Sequence, residues 1–321
     1  MNNLLQFYYN LYPENIKKVN NKYFFTVHSK SYCFVPYLRS EDELKEIYEL
    51  NQEMILETKL IHQIIKTIAN DIYTIHDNKL YVLLEIMFNM DIPYTLKDIL
   101  YINNFVPKRK YRYIHRSNWN SLWSAKIDYL EELYNEKKEC FKLFSCSKAY
   151  YIGLAENACS YSNVQIKKEY LTVNHRYIDE NTTLFDIYNP LNFVIDFKVR
   201  SICEYLKISF FNNRDVIGEL KEYLNIIKID NSLARLLYAR LLFQTYYFTL
   251  IELSINNNFC ENKLLNYISK HKKYEQVLAH INSIFSRYYI IPKIEWLPRL
   301  DANNVNNSFD FINKQFFNSG I

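Results

Sequence analysis

Short aromatic and β-branched runs alternate with polar breaks at the start of the chain. Tyr23-Phe24-Phe25-Thr26-Val27 and Tyr32-Cys33-Phe34-Val35 are set off by Asn20-Asn21 and by Ser29-Lys30-Ser31. A period of two bounded by turn residues predicts a small antiparallel meander over 1–37, with Pro36 ending its last strand. Ser40-Glu41-Asp42-Glu43 then reads as a capping box, since the Ser40 oxygen and the Glu43 carboxylate can satisfy the open amides of a helix start. The helix it predicts runs over 41–58. Leu44, Ile47, Tyr48, Met54 and Ile55 form its apolar stripe, and Glu46, Glu49 and Glu53 fall on the other faces. Two further strand runs, Ile64 to Ile75 and Leu80 to Phe88, are joined by the polar turn His76-Asp77-Asn78-Lys79.

Beyond residue 89 the period becomes helical. Tyr94 to Ile102 is followed by Trp119, Leu122, Trp123, Ile127, Leu130, Leu133 and Tyr134, all at spacings of three and four. Further helices are expected over 149–162, 199–211, 215–227, 232–256 and 262–285, with one short strand pair around Phe193-Val194-Ile195. The fold class is therefore α+β, with a small β-rich lobe over residues 1–88 feeding a larger helical lobe over 89–321.

Composition removes several chemistries. The 321 residues hold three glycines, Gly153, Gly218 and Gly320, each alone, so neither a dinucleotide-binding glycine turn nor a P-loop can be written. Gly153 sits in a helical run and reads as a close-packing site. The seven histidines have no paired helical spacing, no Cys-x-x-Cys exists, and no Gly-x-Ser-x-Gly can form. Cys33, Cys140, Cys146, Cys159, Cys203 and Cys260 lie mostly in apolar runs and read as reduced, buried thiols. Thirty-nine basic against 35 acidic side chains leave a net charge of +4, too small for binding nucleic acid through bulk electrostatics. No basic start with an apolar stretch opens the chain, so synthesis in the cytoplasm without a signal peptide is expected. Ser232 to Ile255 carries Arg235, Arg240, Gln244 and Glu252, which marks a buried helix and no membrane span. The 30 tyrosines fit an AT-rich coding sequence and assign no function by themselves.

The densest basic run is Lys108-Arg109-Lys110-Tyr111-Arg112-Tyr113-Ile114-His115-Arg116. Two readings stand. Lys108, Arg109, Lys110, Arg112 and Arg116 form a docking patch for a partner, with nucleic acid the weaker candidate, or the run is a solvated loop.

Several stretches in order resemble the YutH-type spore coat proteins, relatives of the CotS coat proteins in the aminoglycoside-phosphotransferase-like kinase superfamily. They are Trp119-Asn120-Ser121-Leu122-Trp123 with Asp128-Tyr129-Leu130-Glu131, Tyr150 to Asn157, His175-Arg176, Asp196 with Arg200 and Glu204-Tyr205, and Leu237 to Phe243. The resemblance spans most of the chain and implies a bilobal protein-kinase-like fold. It also implies what phosphoryl transfer would need. The superfamily places a base aspartate two residues after a His, where this chain has Tyr177, and a metal-binding Asn five residues later, where it has Thr182. The strand before the capped helix should offer a lysine to the phosphates, and Val35 aligns there.

Asp196, after a strand and 21 residues past His175, aligns with the metal-binding aspartate. It reads either as a surviving Mg²⁺ ligand or as a structural carboxylate capping the next helix or pairing Arg200. His175 and Arg176 read as braces of their loop, with Asp179 or Glu180 the alternative base. Lacking the lysine, the glycine loop, the base and one metal ligand, the chain reads as a pseudokinase, with catalytic positions His175, Arg176, Tyr177 and Thr182 degenerate. No cofactor is expected, the ATP and Mg²⁺ reading resting on Asp196 alone. The resemblance implies a structural or assembly role in the endospore coat, other coat proteins as partners, and location in the coat. The alternative is an active ATP-dependent phosphotransferase with a rearranged site.

Overall fold

The computed structural model of the chain describes residues 1–88, 91–136, 142–256, 261–292 and 294. Packing divides it into two compact units, Met1–Ser117 with Lys168–Ile202, and Asn118–Lys167 with the residues from Cys203 onward.

The first unit is built on a six-stranded sheet. Strands β1 (Ile16–Val19), β2 (Lys22–Val27), β3 (Lys30–Tyr37), β6 (Lys79–Ile86) and β4 (Gln63–Ile65) lie in the order β1-β2-β3-β6-β4, and β5 (Thr74–His76) also pairs with β6. All of these pairings are antiparallel, with Tyr23 opposite Phe34 and Val35 opposite Val82. A chain so poor in glycine must turn its hairpins on other residues. Asn20 and Asn21, His28 and Ser29, and Asp77 and Asn78 all take positive φ, between 46° and 65°. Paired left-handed residues match the twist of the flanking strands, and Asn and Asp tolerate that region best.

Three local expectations need correction. The chain opens on a helix, α1 (Asn2–Tyr9), which buries Leu5 and Tyr9 against Phe25, Phe34 and Tyr81, where the meander was expected to begin. Leu5 and Tyr9 stand four apart, a helical spacing too short to outweigh the strand pattern beyond it. Strand β3 continues through Pro36 to Tyr37. Pro36 pairs with Tyr81, but β2 has already ended at Lys22, so the missing N–H falls where the strand has no neighbour on that side. The run from Ile64 to Ile75 is two short strands around a turn in which Thr67 Oγ1 accepts the Asp71 N–H and Asn70 has φ 72°.

Helix α2 (Glu41–Ile55) starts where expected, with Ser40 Oγ accepting the Glu43 N–H at 3.3 Å. α3 (Leu96–Asn103) and a two-stranded sheet of β7 (Leu171–His175) and β8 (Phe193–Phe197), with the short α6 (Leu184–Ile187) between them, complete this unit.

The second unit is helical among its described residues. It holds α4 (Trp119–Glu136), α5 (Lys142–Ser162), most of α7 (Arg200–Phe211), α8 (Val216–Ile226), α9 (Asn231–Leu242), α10 (Thr245–Asn256), α11 (Glu261–Ser269) and α12 (His271–Phe285). The single helix expected over 232–256 is two, broken at Phe243-Gln244. The Gln244 amide donates to Leu241 O and Leu242 O, and the Lys207 ammonium donates to Phe243 O, so the carbonyls freed by the break are satisfied. The helix expected over 262–285 likewise breaks at Lys270.

Aromatic packing fills this core. Trp119 stacks on Trp123 at 5.0 Å, Trp123 on Phe243 at 4.5 Å and Tyr151 on Tyr247 at 3.7 Å. Gly153 is no close-packing site, since a Cβ there would meet nothing within 4 Å. Cys33, Cys159 and Cys203 are buried free thiols and Cys146 is half-buried, while Cys140 and Cys260 lie outside the described residues.

Replacing Ser40 by Ala removes the side-chain cap of α2 and should lower stability by about 1 kcal/mol. Urea unfolding of the variant checks this, and an unchanged midpoint would show that the helix start is held by other contacts.

Candidate functional site

The residues that the kinase-like plan would place at a phosphoryl-transfer site sit on the β7–β8 ladder and the loop between its strands. Thr172 faces Asp196 across the ladder and His175 faces Phe193. The segment before α4 runs alongside β8, with the Arg116 N–H donating to Ile195 O at 2.8 Å and the Ile195 N–H donating to Ile114 O at 2.9 Å.

Asp196 is fully buried and both of its oxygens are engaged. Oδ1 accepts the Phe197 N–H at 2.7 Å, and Oδ2 accepts from Arg200 Nη1 at 2.6 Å. The same guanidinium donates from Nε to His175 O at 3.0 Å and from Nη2 to Arg176 O at 3.1 Å. One arginine at the start of α7 therefore ties the end of β8 to the end of β7. His175 is buried beside it. Its Nε2 lies 2.9 Å from Ile187 O and its Nδ1 3.1 Å from Ser201 Oγ. A ring nitrogen facing a carbonyl must carry the proton, so the Nε2–H tautomer is the neutral form that fits. Burial pulls the imidazole pKa down to about 4, keeping it neutral.

The remaining positions serve the loop. Tyr177, which the resemblance aligns with the base, is 67% exposed, and its N–H donates to Asn192 Oδ1. Thr182 Oγ1 accepts the Asp179 N–H at 2.8 Å and donates to Asp179 Oδ1 at 3.1 Å, while the Asn181 N–H donates to that same oxygen. Asp179 and Glu180 are exposed. Mg²⁺ takes about six oxygen ligands at near-ideal octahedral geometry. As arranged, the donors fit it poorly: a guanidinium occupies one face of Asp196 and the Thr182 hydroxyl is closed within its own turn. Among the described residues, no three His, Cys, Asp or Glu side chains converge on a point that could hold a metal.

The first hairpin bears on the same loop. In kinases the corresponding turn is a glycine-rich loop that covers the phosphates. Here it is the tight Asn20-Asn21 turn, and Phe185 of α6 packs against β2. Phe185 is fully buried, with its ring 5.8 Å from Phe24 and 4.8 Å from His62. Lys22 lies 4.9 Å over the Phe185 ring and 3.7 Å from Asp186 Oδ1. Val35, which the resemblance aligns with the phosphate-pairing lysine, is buried in β3.

The basic run lies along α2. Lys108 pairs with Glu57 at 2.6 Å, and Arg109 with Glu49 at 3.2 Å and Glu53 at 2.8 Å. Glu46 accepts three successive backbone N–H groups, those of Arg112, Tyr113 and Ile114, at 2.6 to 2.9 Å. The glutamates expected on the free faces of the helix thus bind the chain's own cations and amides. Lys110 and Arg112 are exposed, with the Arg112 guanidinium over the Tyr113 ring. Arg116 turns inward and joins Arg39 and Arg176 at the Glu43 carboxylate, with N–O distances of 2.8 to 2.9 Å. Sequence reasoning assigned Glu43 only to the helix cap. Arg39 and Glu43 are four residues apart, but Arg116 and Arg176 are too distant in sequence for local spacing to reveal that they join them.

The profile of the family described as "Spore coat putative kinase YutH" matches residues 2–281. The chain belongs to the YutH spore coat family. The endospore coat-associated protein YutH of Bacillus subtilis (strain 168) is 27% identical over 208 residues, which cover 56% of this chain and 61% of that protein. The match thus spans less than two thirds of the curated relative. Among solved structures, an aminoglycoside phosphotransferase from Alicyclobacillus acidocaldarius superposes with a TM-score of 0.64 at 12% identity, covering 86% of this chain and 93% of that one. The spectinomycin phosphotransferase APH(9)-Ia, solved with ADP and spectinomycin, gives 0.55 at 14% identity, covering 84% and 92%. This YutH-family chain therefore has the bilobal, aminoglycoside-phosphotransferase-like kinase fold. Among the described residues, no helix is long and apolar enough to cross a membrane.

Replacing Arg200 by Met would leave Asp196 buried without its cation and should cost about 3–5 kcal/mol. The double variant Arg200→Met with Asp196→Asn should recover part of that loss, because the uncompensated charge is gone. Urea unfolding of the single and double variants measures both terms; an Arg200→Met protein as stable as the parent would show that the pair holds nothing together.

Proposed function

We propose that this YutH-family protein is a non-catalytic, kinase-fold component of the bacterial endospore coat, acting in coat structure or assembly through contacts with other coat proteins. The single observation that carries the non-catalytic part is the Asp196–Arg200 pair, which holds by a guanidinium the carboxylate that phosphoryl transfer would need for a metal. A transferring phosphate needs its charge neutralised and its acceptor hydroxyl deprotonated. The packing of Phe185 against β2, with Val35 and Tyr177 in place of the lysine and the base, supports the same reading. The coat assignment is supported by family membership and by the coat association of the B. subtilis relative. For docking, Lys110 and Arg112 are the exposed cations of the run chosen, since Lys108 and Arg109, though also exposed, pair with Glu57, Glu49 and Glu53, and Arg116 pairs with Glu43.

Two measurements on the full chain test this. Incubation with γ-labelled ATP and Mg²⁺ should transfer no label to water, to the protein itself or to coat extract, and transfer abolished by Asp196→Asn would overturn the non-catalytic reading in favour of a rearranged phosphotransferase. A fluorescent fusion should collect at the forespore surface during sporulation, and Lys110→Glu with Arg112→Glu should release it without lowering the melting temperature. Diffuse signal from the parent fusion would remove the coat role, and retention of the double variant would remove the docking patch.

A further inference from the structure

Three guanidinium groups from distant parts of the first unit converge on one carboxylate oxygen. Arg39 Nη1, Arg116 Nη2 and Arg176 Nη1 lie 2.8, 2.9 and 2.8 Å from Glu43 Oε1. Three positive charges against one negative leave a local surplus of two. The arginine side chains are 17%, 27% and 26% exposed, so the cluster is half-buried yet open to solvent.

Tyr37 adds an independent observation. It is 5% exposed, with the Arg39 guanidinium 5.0 Å from its ring centroid, and its hydroxyl has no hydrogen-bond partner. Burial pushes its pKa up to about 12, while Arg39, Arg176 and Arg116 all act on it in the opposite sense, which places the hydroxyl within electrostatic reach of all three. Buried hydroxyls are seldom left without a partner. This one is a buried donor on a ring that the Arg39 guanidinium covers, and the acceptor shared by the three cations, Glu43 Oε1, already takes three N–H bonds.

We infer that Arg39, Arg116, Arg176 and Tyr37 form a binding site for a phosphate group, carried either as the free ion or as a monoester on a serine side chain. A phosphate dianion balances the surplus of two, which a single carboxylate does not. Guanidinium N–H groups make strong hydrogen bonds to phosphate oxygens, and Arg39 Nη2 on Leu191 O and Arg116 Nη1 on Tyr113 O and His115 O hold those two side chains at the site. The Tyr37 O–H supplies a further donor. The phosphate is held here and not transferred, so the inference goes beyond the proposed coat role and stands whether or not the protein turns over ATP.

Calorimetric titration of the full chain at low ionic strength, with inorganic phosphate in one arm and O-phospho-L-serine in the other, tests the site. Saturable binding is expected. Tyr37→Phe should weaken it about tenfold, the loss of one hydrogen bond to a charged acceptor. The melting temperature of that variant should not fall, because the hydroxyl it removes bonds nothing in the free protein. Arg176→Met should weaken binding further, and should it fail to fold, Tyr37→Phe decides alone. Tighter binding of phosphoserine supports the site with a phosphorylated side chain as its source; equal affinities support it with free phosphate as the source. No saturable binding of either at millimolar concentration, or affinity untouched by Tyr37→Phe, overturns the inference.

Discussion

A fully buried carboxylate must find a positive partner or lose its charge, and at Asp196 that partner is Arg200. The pair does more than neutralise. Its geometry forces the rest of the guanidinium toward His175 O and Arg176 O, so the turn out of β7, the end of β8 and the first turn of α7 are held by one side chain. A metal at Asp196 would have to displace that guanidinium and unfasten the loop. The family resemblance aligns this carboxylate with one that binds a metal in kinases. Here the chain uses it as a fastener, and the loop residues His175, Tyr177 and Thr182 are arranged around that use.

A second electrostatic constraint runs along α2. Its glutamates at 43, 46, 49 and 53, with Glu57 just beyond the helix, face a stretch that is neither helix nor strand over most of its length. Such a stretch must place its amides somewhere, and Glu46 takes three of them. The cations of the run follow, so a segment that looks like a basic patch in one dimension is largely neutralised in three. The tyrosines show the same inward economy. Tyr151, Tyr238, Tyr247 and Tyr274 are buried with their hydroxyls on His271, Leu278 O, Ser147 and Leu241 O. Part of the tyrosine content thus supplies polar cross-bonds to the core, while Tyr12, Tyr177 and Tyr288 stay exposed.

How much of this was legible in the sequence follows from the range over which each feature is encoded. The cap of α2, the Asp77-Asn78 turn and the pairing of Asp196 with Arg200 four residues on are local, and each reads off a few adjacent letters. The breaks at Phe243-Gln244 and Lys270 were not legible, because the apolar period continues through them. What ends α9 is the Gln244 amide folding back on carbonyls that only the structure shows to be open. Pro36 misled because its tolerance in β3 depends on where the neighbouring strand stops. The arrival of Arg116 and Arg176 beside the Arg39–Glu43 pair had no sequence signal, since separate elements must fold before those groups approach. The kinase-like plan itself was legible through several ordered stretches that resemble one family, no one of which would have been sufficient alone.

The central claim is that Asp196 holds the loop and does not hold a metal. Electron paramagnetic resonance of Mn²⁺, titrated into the full chain with ADP present, tests it most directly. The account predicts that the free-ion signal is the same with the parent protein and with Asp196→Asn. A fall in free Mn²⁺ with the parent that disappears in the variant would contradict it.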